Sequence, residues 1–394
     1  MIGDNRDRTE GPMTLALRGR VVCASHDLDD GVVTIDGERI VGVHDVAEWA
    51  GEHPDSPLPE FAGALLPGLV DIHVHGGGGH GFDTVDTAQA RAAAHHHARH
   101  GSTSVVASVV TGPAEQMVAQ VATLRELADA GDIAGIHAEG PYLSAARCGA
   151  QDPRHLRDPD PDLTERLLDA GGRHLRVMTL APELAGYAAA AQRLSERGVA
   201  VALGHTDADH ARFRAALRPD GHAGLVTHLG NGMPPLHHRA SGPVAAALVA
   251  AARGTAVIEL ICDSAHIDAG FAALAFATAP NAVALVSDAM RATGEPDGRY
   301  RLGPREVTVR DGIARLPDGC LAGSTATLLE CLRWTVRAAD VPLRAAVEAA
   351  TAVPARAVGL AQVGDLRTGA YADLVIVDDN LHSRGVLRHG RWLT

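Results

Sequence analysis

Two histidines stand two residues apart in the stretch PGLVDIHVHGGGGH, which begins at Pro67 and otherwise reads as a buried apolar strand. Period-two spacing puts His73 and His75 on one strand face, where two imidazoles can bind one ion. The glycines that follow leave room for that ion and for a substrate. Four more polar residues close other apolar runs. Glu139 ends IAGIHAE, His205 ends VAVALGH, His228 lies in AGLVTHL, and Asp288 lies in AVALVSDAM. Imidazole nitrogen and carboxylate oxygen in this mixture suit a divalent zinc, iron, manganese or cobalt ion. Each of these residues alone has a plainer reading, as a hydrogen-bonded core histidine or a helix cap. Together they are hard to account for by packing, because every buried polar group needs a partner of its own. The consecutive His95, His96 and His97 fail the same test. They fan over different faces of a helix, and read as surface or packing residues.

The elements that must position these groups follow from the rhythm of the chain. From Leu69 onward, eight apolar runs of strand length alternate with Ala-rich helical stretches such as AEQMVAQVATLRELADA. Continuous apolar runs separated by helices imply parallel strands covered on both faces. Eight in succession suggest an α/β fold, a (β/α)8 TIM barrel, with the polar strand ends converging on one rim. A doubly wound open sheet gives the same alternation and remains the rival. Residues before this region, and those from about 366, return to strand patterns. The segments LALRGRVV and VVTIDGERIVGV surround an Asp36-Gly37 turn signal, and a hairpin-like insertion runs from Tyr300 to Gly319. The expected organisation is a small β-sandwich domain built from residues 13–64 and 366–394, a barrel over 65–365, and a disordered extension over 1–12. The loop LSAARCGAQDP, small-residue-rich after the third strand, reads equally as a lid or as an ordinary surface loop.

Composition narrows the function. The 394-residue chain carries a net charge of −13 with histidine neutral, which argues against a nucleic-acid partner and requires local positive charge for any anionic substrate. All 35 basic residues are arginine, so a lysine nucleophile, a Schiff base and a carbamylated-lysine metal ligand are excluded. Five cysteines without C-x-x-C spacing read as free thiols of a reducing compartment. The polar N-terminus and the lack of a membrane-length apolar run point to a cytoplasmic protein without a membrane partner. The glycine run after His75 does not form a dinucleotide fingerprint.

The segments PGLVDIHVHG, HAEGPYL, GHT, THLGNGMPPLHHR, SDAM and LAGS, in that order, resemble the amidohydrolase superfamily and, within it, the N-acetylglucosamine-6-phosphate deacetylases. The resemblance implies metal-dependent hydrolysis of an acetamide on an amino-sugar phosphate, by a homodimer holding one or two divalent ions, zinc foremost. It implies a principal metal on Glu139, His205 and His228, and a second on His73 and His75 with Glu139 bridging and Asp288 contributing. It makes Asp288 the catalytic acid/base and assigns substrate contacts to Gln151, Asn231, Gly232, Arg239, His266 and Leu321. Departures from the family pattern at Gly230 and Gly232 imply looser packing around the sugar, and Gln151 replaces a substrate-contacting histidine. A related N-acyl substrate, such as N-acetylgalactosamine-6-phosphate, is the alternative within the family; a catalytically silent scaffold is the alternative outside it.

Overall fold

A computed structural model describes residues 15–394, so the extension expected over residues 1–12 lies outside the described residues. The described chain opens with an antiparallel meander of β1 (Leu15–Val22), β2 (Asp27–Asp36) and β3 (Arg39–Asp45). Asp36 pairs with Arg39, so the turn itself is Gly37-Glu38, and Gly37 supplies the φ of +55° that it needs. Asp45 then caps α1 (Val46–Glu52) by accepting the Ala47 N–H. Strand β4 (Phe61–Pro67) runs past the domain boundary placed at residue 64 and pairs in parallel with β1.

The barrel begins at β5 (Val70–Val74). The glycine run forms a two-residue ladder of β6 (Gly76–Gly77) with β7 (His80–Gly81), followed by α2 (Thr87–Arg99). Then come β8 (Ser104–Val109), β9 (Gly135–Glu139), β10 (Leu175–Leu180), β11 (Ala200–Leu203), β12 (Ala223–Val226), β13 (Val257–Leu260) and β14 (Val283–Leu285). These are the eight apolar runs read from the sequence, paired in parallel in chain order without the reversal of a doubly wound sheet. The first and last strands meet through backbone hydrogen bonds just beyond β14. Asp288 N–H donates to His73 O at 2.9 Å, and His75 N–H donates to Ala289 O at 2.8 Å. The buried Asp71 carboxylate adds to this seam by accepting the Ser287 hydroxyl at 2.5 Å and the Ser287 N–H at 3.2 Å.

One apolar cluster fills the barrel interior away from the mouth. Val70, Ile72, Val106, Val177, Ala202 and Leu225 meet there, sealed by Val353, Ala355 and Val358 at the helix Ala352–Ala357. A larger cluster lies between the strands and the surrounding helices. Ile72 belongs to the inner cluster and Val74 to the outer one, because the register of β5 on β8 shifts between Asp71 and Val74. That irregularity is what turns the strand so that His73 and His75 take the inward direction after Ile72.

The insertion forms a three-stranded antiparallel sheet, β15 (Gly298–Leu302), β16 (Arg305–Arg310) and β17 (Ile313–Arg315), over a small core with Val110 and Met290. Finally β18 (Leu374–Val377), β19 (Ser383–Arg388) and β20 (Arg391–Leu393) return to β4. The β-sandwich expected from the two termini is thus built as one seven-stranded mixed sheet, in the order β20-β19-β18-β4-β1-β2-β3. Among the described residues no helix is long and apolar enough to cross a membrane. All five cysteines are free.

Candidate metal centre

Six side chains from five strand ends meet at the barrel mouth. His73 and His75 come from the end of β5, Glu139 is the last residue of β9, and His205, His228 and Asp288 follow β11, β12 and β14. The last three hold φ values of +45°, +28° and +49°. A non-glycine residue in this left-handed region costs on the order of 1–3 kcal/mol. Here the strained turn bends the chain at each strand end and keeps the side chain at the rim.

Glu139 is the hub. Its Oε1 lies 3.0 Å from His205 Nε2, 3.1 Å from His228 Nε2 and 3.5 Å from His73 Nε2. Its Oε2 lies 3.3 Å from His75 Nε2. Asp288 Oδ1 stands 3.2 Å from His75 Nε2 and 3.5 Å from His73 Nε2. The ring nitrogens also crowd one another: the Nε2 atoms of His73 and His75 are 3.2 Å apart, and those of His205 and His228 are 3.1 Å apart. The donors therefore fall into two buried groups, His73–His75–Glu139 and Glu139–His205–His228, which share one carboxylate.

The outer contacts fix which nitrogen is free to ligate. His205 Nδ1 donates to the Arg147 carbonyl at 2.8 Å, and His73 Nδ1 donates to Glu259 Oε2 at 3.1 Å, which leaves both Nε2 lone pairs directed inward. Among the described residues, Nδ1 of His75 and of His228 and Oε1 of Glu259 are buried without a partner. Nitrogen lone pairs this close, with carboxylates between them, fit a divalent cation. Burial opposes charge on His75, but hydrogen bonds to Asp288 and Glu139 outweigh it and push its imidazole up to about 9. The His73 imidazole is raised in the same way, with Glu139 the largest of the groups that overcome its burial. Burial would raise the Glu139 carboxyl, yet the surrounding imidazoles hold it well below the usual carboxylate range. A cation entering the group therefore displaces protons.

The substrate positions read from the sequence divide. Gln151 is buried in the cluster, its Nε2 donating to Glu139 Oε2 at 2.5 Å. Asn231 stays next to His228, both its backbone and side-chain N–H groups donating to the His228 carbonyl. Gly232 touches the site through its backbone: a Cβ there would sit 2.9 Å from His205 Nδ1, so this position is packed tightly against the histidine. At Gly230 a Cβ would sit 3.2 Å from the Phe271 ring, which occupies the adjacent space. His266 is held by Asp263, its Nδ1 2.8 Å from Oδ2. Leu321 is half-buried beside β17, bridged to Arg315. Arg239 stands outside the cluster, exposed, with the His238 ring as its neighbour.

Three buried polar residues escaped the sequence reading. Glu259, inside β13, holds both the His73 ring and the His228 backbone N–H. Asp71 joins the barrel seam, and burial pushes its carboxyl up to about 6 against the opposing Ser287 hydrogen bond. His137 packs edge-on to His73 and is bonded on both nitrogens, by Ser108 and Thr179. A lone acid in the run AVIEL, and a second histidine two residues before Glu139, were the available signals. The loop LSAARCGAQDP is no detached surface loop, since its Ser144 N–H and Arg147 carbonyl bond His205 and its Gln151 bonds Glu139.

The model of the amidohydrolase family matches residues 64–292 and 304–392. N-acetylglucosamine-6-phosphate deacetylase of Vibrio furnissii is 34% identical over 368 residues, covering 92% of this chain and 90% of the relative. N-acetylgalactosamine-6-phosphate deacetylase of Escherichia coli O157:H7 is 33% identical, covering 96% and 99%. The solved structure of a mutant N-acetyl-D-glucosamine-6-phosphate deacetylase from Mycobacterium smegmatis, in complex with N-acetyl-D-glucosamine-6-phosphate, superposes with a TM-score of 0.90 at 38% identity. It covers 97% of this chain and 99% of that one.

Proposed function

The chain belongs to the amidohydrolase family, and we propose that it is a deacetylase that hydrolyses N-acetylglucosamine-6-phosphate to glucosamine-6-phosphate and acetate, in amino-sugar metabolism. The observation that carries this reading is the pair of buried His/Glu groups sharing Glu139, with the Asp288 carboxylate beside them at the mouth. Relatives of that activity, similar over most of the chain, supply the substrate.

His73, His75, Glu139, His205, His228 and Asp288 are the residues that would hold one or two divalent ions, and zinc is our assignment from the nitrogen-rich donor set. A bound ion supplies Lewis acidity toward the acetamide carbonyl and lowers the pKa of water. Asp288 is the catalytic acid/base. Its Oδ1 faces the His73–His75 side, where it takes the proton of the attacking water and delivers it to the departing amine nitrogen. Burial would raise the Asp288 carboxyl, but the His75 hydrogen bond together with the charges of His73 and His75 outweighs it and lowers the carboxyl below its ordinary value.

On this reading Asn231, the Gly232 backbone, His266 and Leu321 line the sugar, and Arg239 with His266 receives the phosphate, where a guanidinium fork offers parallel donors. Arg239 is exposed, which fits a role completed across a homodimer. Residues 65–365 form the catalytic unit, and the protein works in the cytoplasm. The relative from Escherichia coli O157:H7 favours a second substrate, N-acetylgalactosamine-6-phosphate.

The test is acetate release from N-acetylglucosamine-6-phosphate, its galactosamine epimer and the unphosphorylated sugar, with zinc-loaded and chelator-treated protein. The highest kcat/KM belongs to the glucosamine substrate, and chelation abolishes turnover. Higher kcat/KM on the epimer would exchange the two substrates, and turnover that survives full chelation would overturn the metal-dependent reading.

A further inference from the structure

The Glu139 carboxylate must present one oxygen to His205 and His228 and the other toward His75, yet the last torsion of a glutamate is soft and has no strong preference of its own. Something outside the histidines has to set it. We propose that Gln151 is the positioning residue for this shared carboxylate: its amide, anchored on the backbone of Thr111, fixes which Glu139 oxygen serves which histidine pair.

Gln151 Oε1 lies 2.8 Å from the Thr111 N–H. A backbone N–H can only donate, so the atom facing it must be the amide oxygen. That leaves Nε2 on the other side, 2.5 Å from Glu139 Oε2, as a donor to a carboxylate that can only accept. The orientation of the amide is thus dictated by the chemistry of its two neighbours. Thr111 also grips Glu139 from behind, its hydroxyl donating to the Glu139 carbonyl at 3.1 Å. One residue therefore holds the backbone of the hub directly and its side chain through Gln151.

The anchor is itself held. The Gln151 N–H donates to the Cys148 carbonyl at 2.9 Å, and its carbonyl accepts from Arg305 Nη1 at 3.2 Å. Gln151 is 4% exposed. With Oε2 receiving the amide N–H along one lone-pair direction, its other direction stays available on the His75 side. The same segment fixes the His205 tautomer through the Arg147 carbonyl. The stretch from Arg147 to Gln151 thus steers two residues of the Glu139–His205–His228 group.

This assignment differs from a substrate-reading role, because the acceptor and a donor of the amide are already engaged by protein. It rests on the reading of Glu139 as a metal ligand. The experiment compares Gln151→Met, which keeps the volume without the donor, and Gln151→Asn, which keeps the amide but is too short to span Thr111 and Glu139. Zn2+ affinity is measured on the full chain by competition with a chromophoric chelator, without substrate. Kinetics on N-acetylglucosamine-6-phosphate then follow across a range of Zn2+ concentrations. Loss of an outer partner typically costs about 10–100-fold in metal affinity, and that loss is expected in both variants. Turnover should recover as Zn2+ is raised, with KM within about threefold of the parent. Unchanged Zn2+ affinity in either folded variant, with KM raised about tenfold or more, would make Gln151 a substrate contact and overturn the proposal. The zinc titration needs no turnover. A failure of the deacetylase reading would appear separately, as absence of acetate release by the unaltered protein.

Discussion

Two histidine-rich regions lie close together in this protein and have opposite characters. At the barrel mouth His73, His75, His205 and His228 surround the Glu139 and Asp288 carboxylates. On α2, His96 and His97 are equally buried against the glycine ladder, His97 donating from Nε2 to the Gly76 carbonyl at 2.7 Å. Among the described residues no carboxylate oxygen lies within ion-pair distance of either α2 ring. Burial pushes the imidazole of His97 down to about 4 and that of His96 to about 3, while His75 is pushed up to about 9 despite its burial. Burial is common to both regions, and the carboxylates overcome it at His73, His75 and His205. His228, buried and bonded to Glu139 but crowded by the His205 and His73 rings, stays below the usual imidazole value. A buried imidazole whose acid partner outweighs burial and neighbouring rings gathers a cation, whether proton or metal. Without that partner it stays neutral and serves as a packing element, His97 with its bond to the Gly76 carbonyl.

The sharpest way to break this contrast is to remove the acid. Glu139→Gln keeps the shape of the hub and deletes the charge shared by both groups. Outer-partner losses cost about 10–100-fold in metal affinity, and loss of a bridging ligand is expected to exceed that range. Elemental analysis of the purified variant should find little zinc, and acetate release should fall to background. A variant that retains full metal would show that the imidazoles alone hold the ion.

Asp288→Asn separates chemistry from binding within the mouth. Asp288 contacts the His73–His75 side, and Glu139 with four imidazoles remains. Zinc content is expected to persist, while kcat falls about 10²–10⁴-fold, the usual share of a positioned proton carrier. Turnover near that of the parent would move the acid/base role to another residue.

The rim was legible because each of its residues ends an apolar run, where a charged or imidazole side chain has no packing reason to be. The split terminal strands and the eight parallel barrel strands were legible for a related reason, since alternation and run length report burial directly, while their closed order is shown by the pairing itself. Glu259 and Asp71 were not, because they sit within strands whose neighbours are apolar, and their partners, His73 and Ser287, lie far away in sequence. The contact between Gln151 and Glu139 depends on how a loop folds back, which no periodicity encodes. The left-handed backbone at His205, His228 and Asp288 was equally hidden: His and Asp enter that region more readily than other non-glycine residues, but too rarely for residue type alone to mark these three positions.

The smallest effect tests the α2 side of the comparison. A histidine buried in neutral form binds a proton more weakly in the folded chain than in the unfolded one. For His97 the unfolded value is about 6.5 and the folded value about 4. Between those values the unfolded state carries more protons, so stability rises with pH and is lost as pH falls from about 6.5 toward 4. From pH 7 to pH 5 this single ring is expected to remove about 2 kcal/mol. His97→Gln retains a donor for the Gly76 carbonyl and cannot titrate, so its stability should decline less over that interval, by about that amount. His95→Gln, two residues before His97 and exposed on the same helix, should follow the parent to within about 0.5 kcal/mol. Denaturant unfolding of all three chains at pH 7 and pH 5, with a chelator present throughout, makes the comparison, because the titration of the mouth is common to each and cancels in the differences. Parallel acid limbs for His97→Gln and the parent would mean that the α2 ring is protonated in the folded state. The distinction between the two histidine regions would then lie in geometry alone.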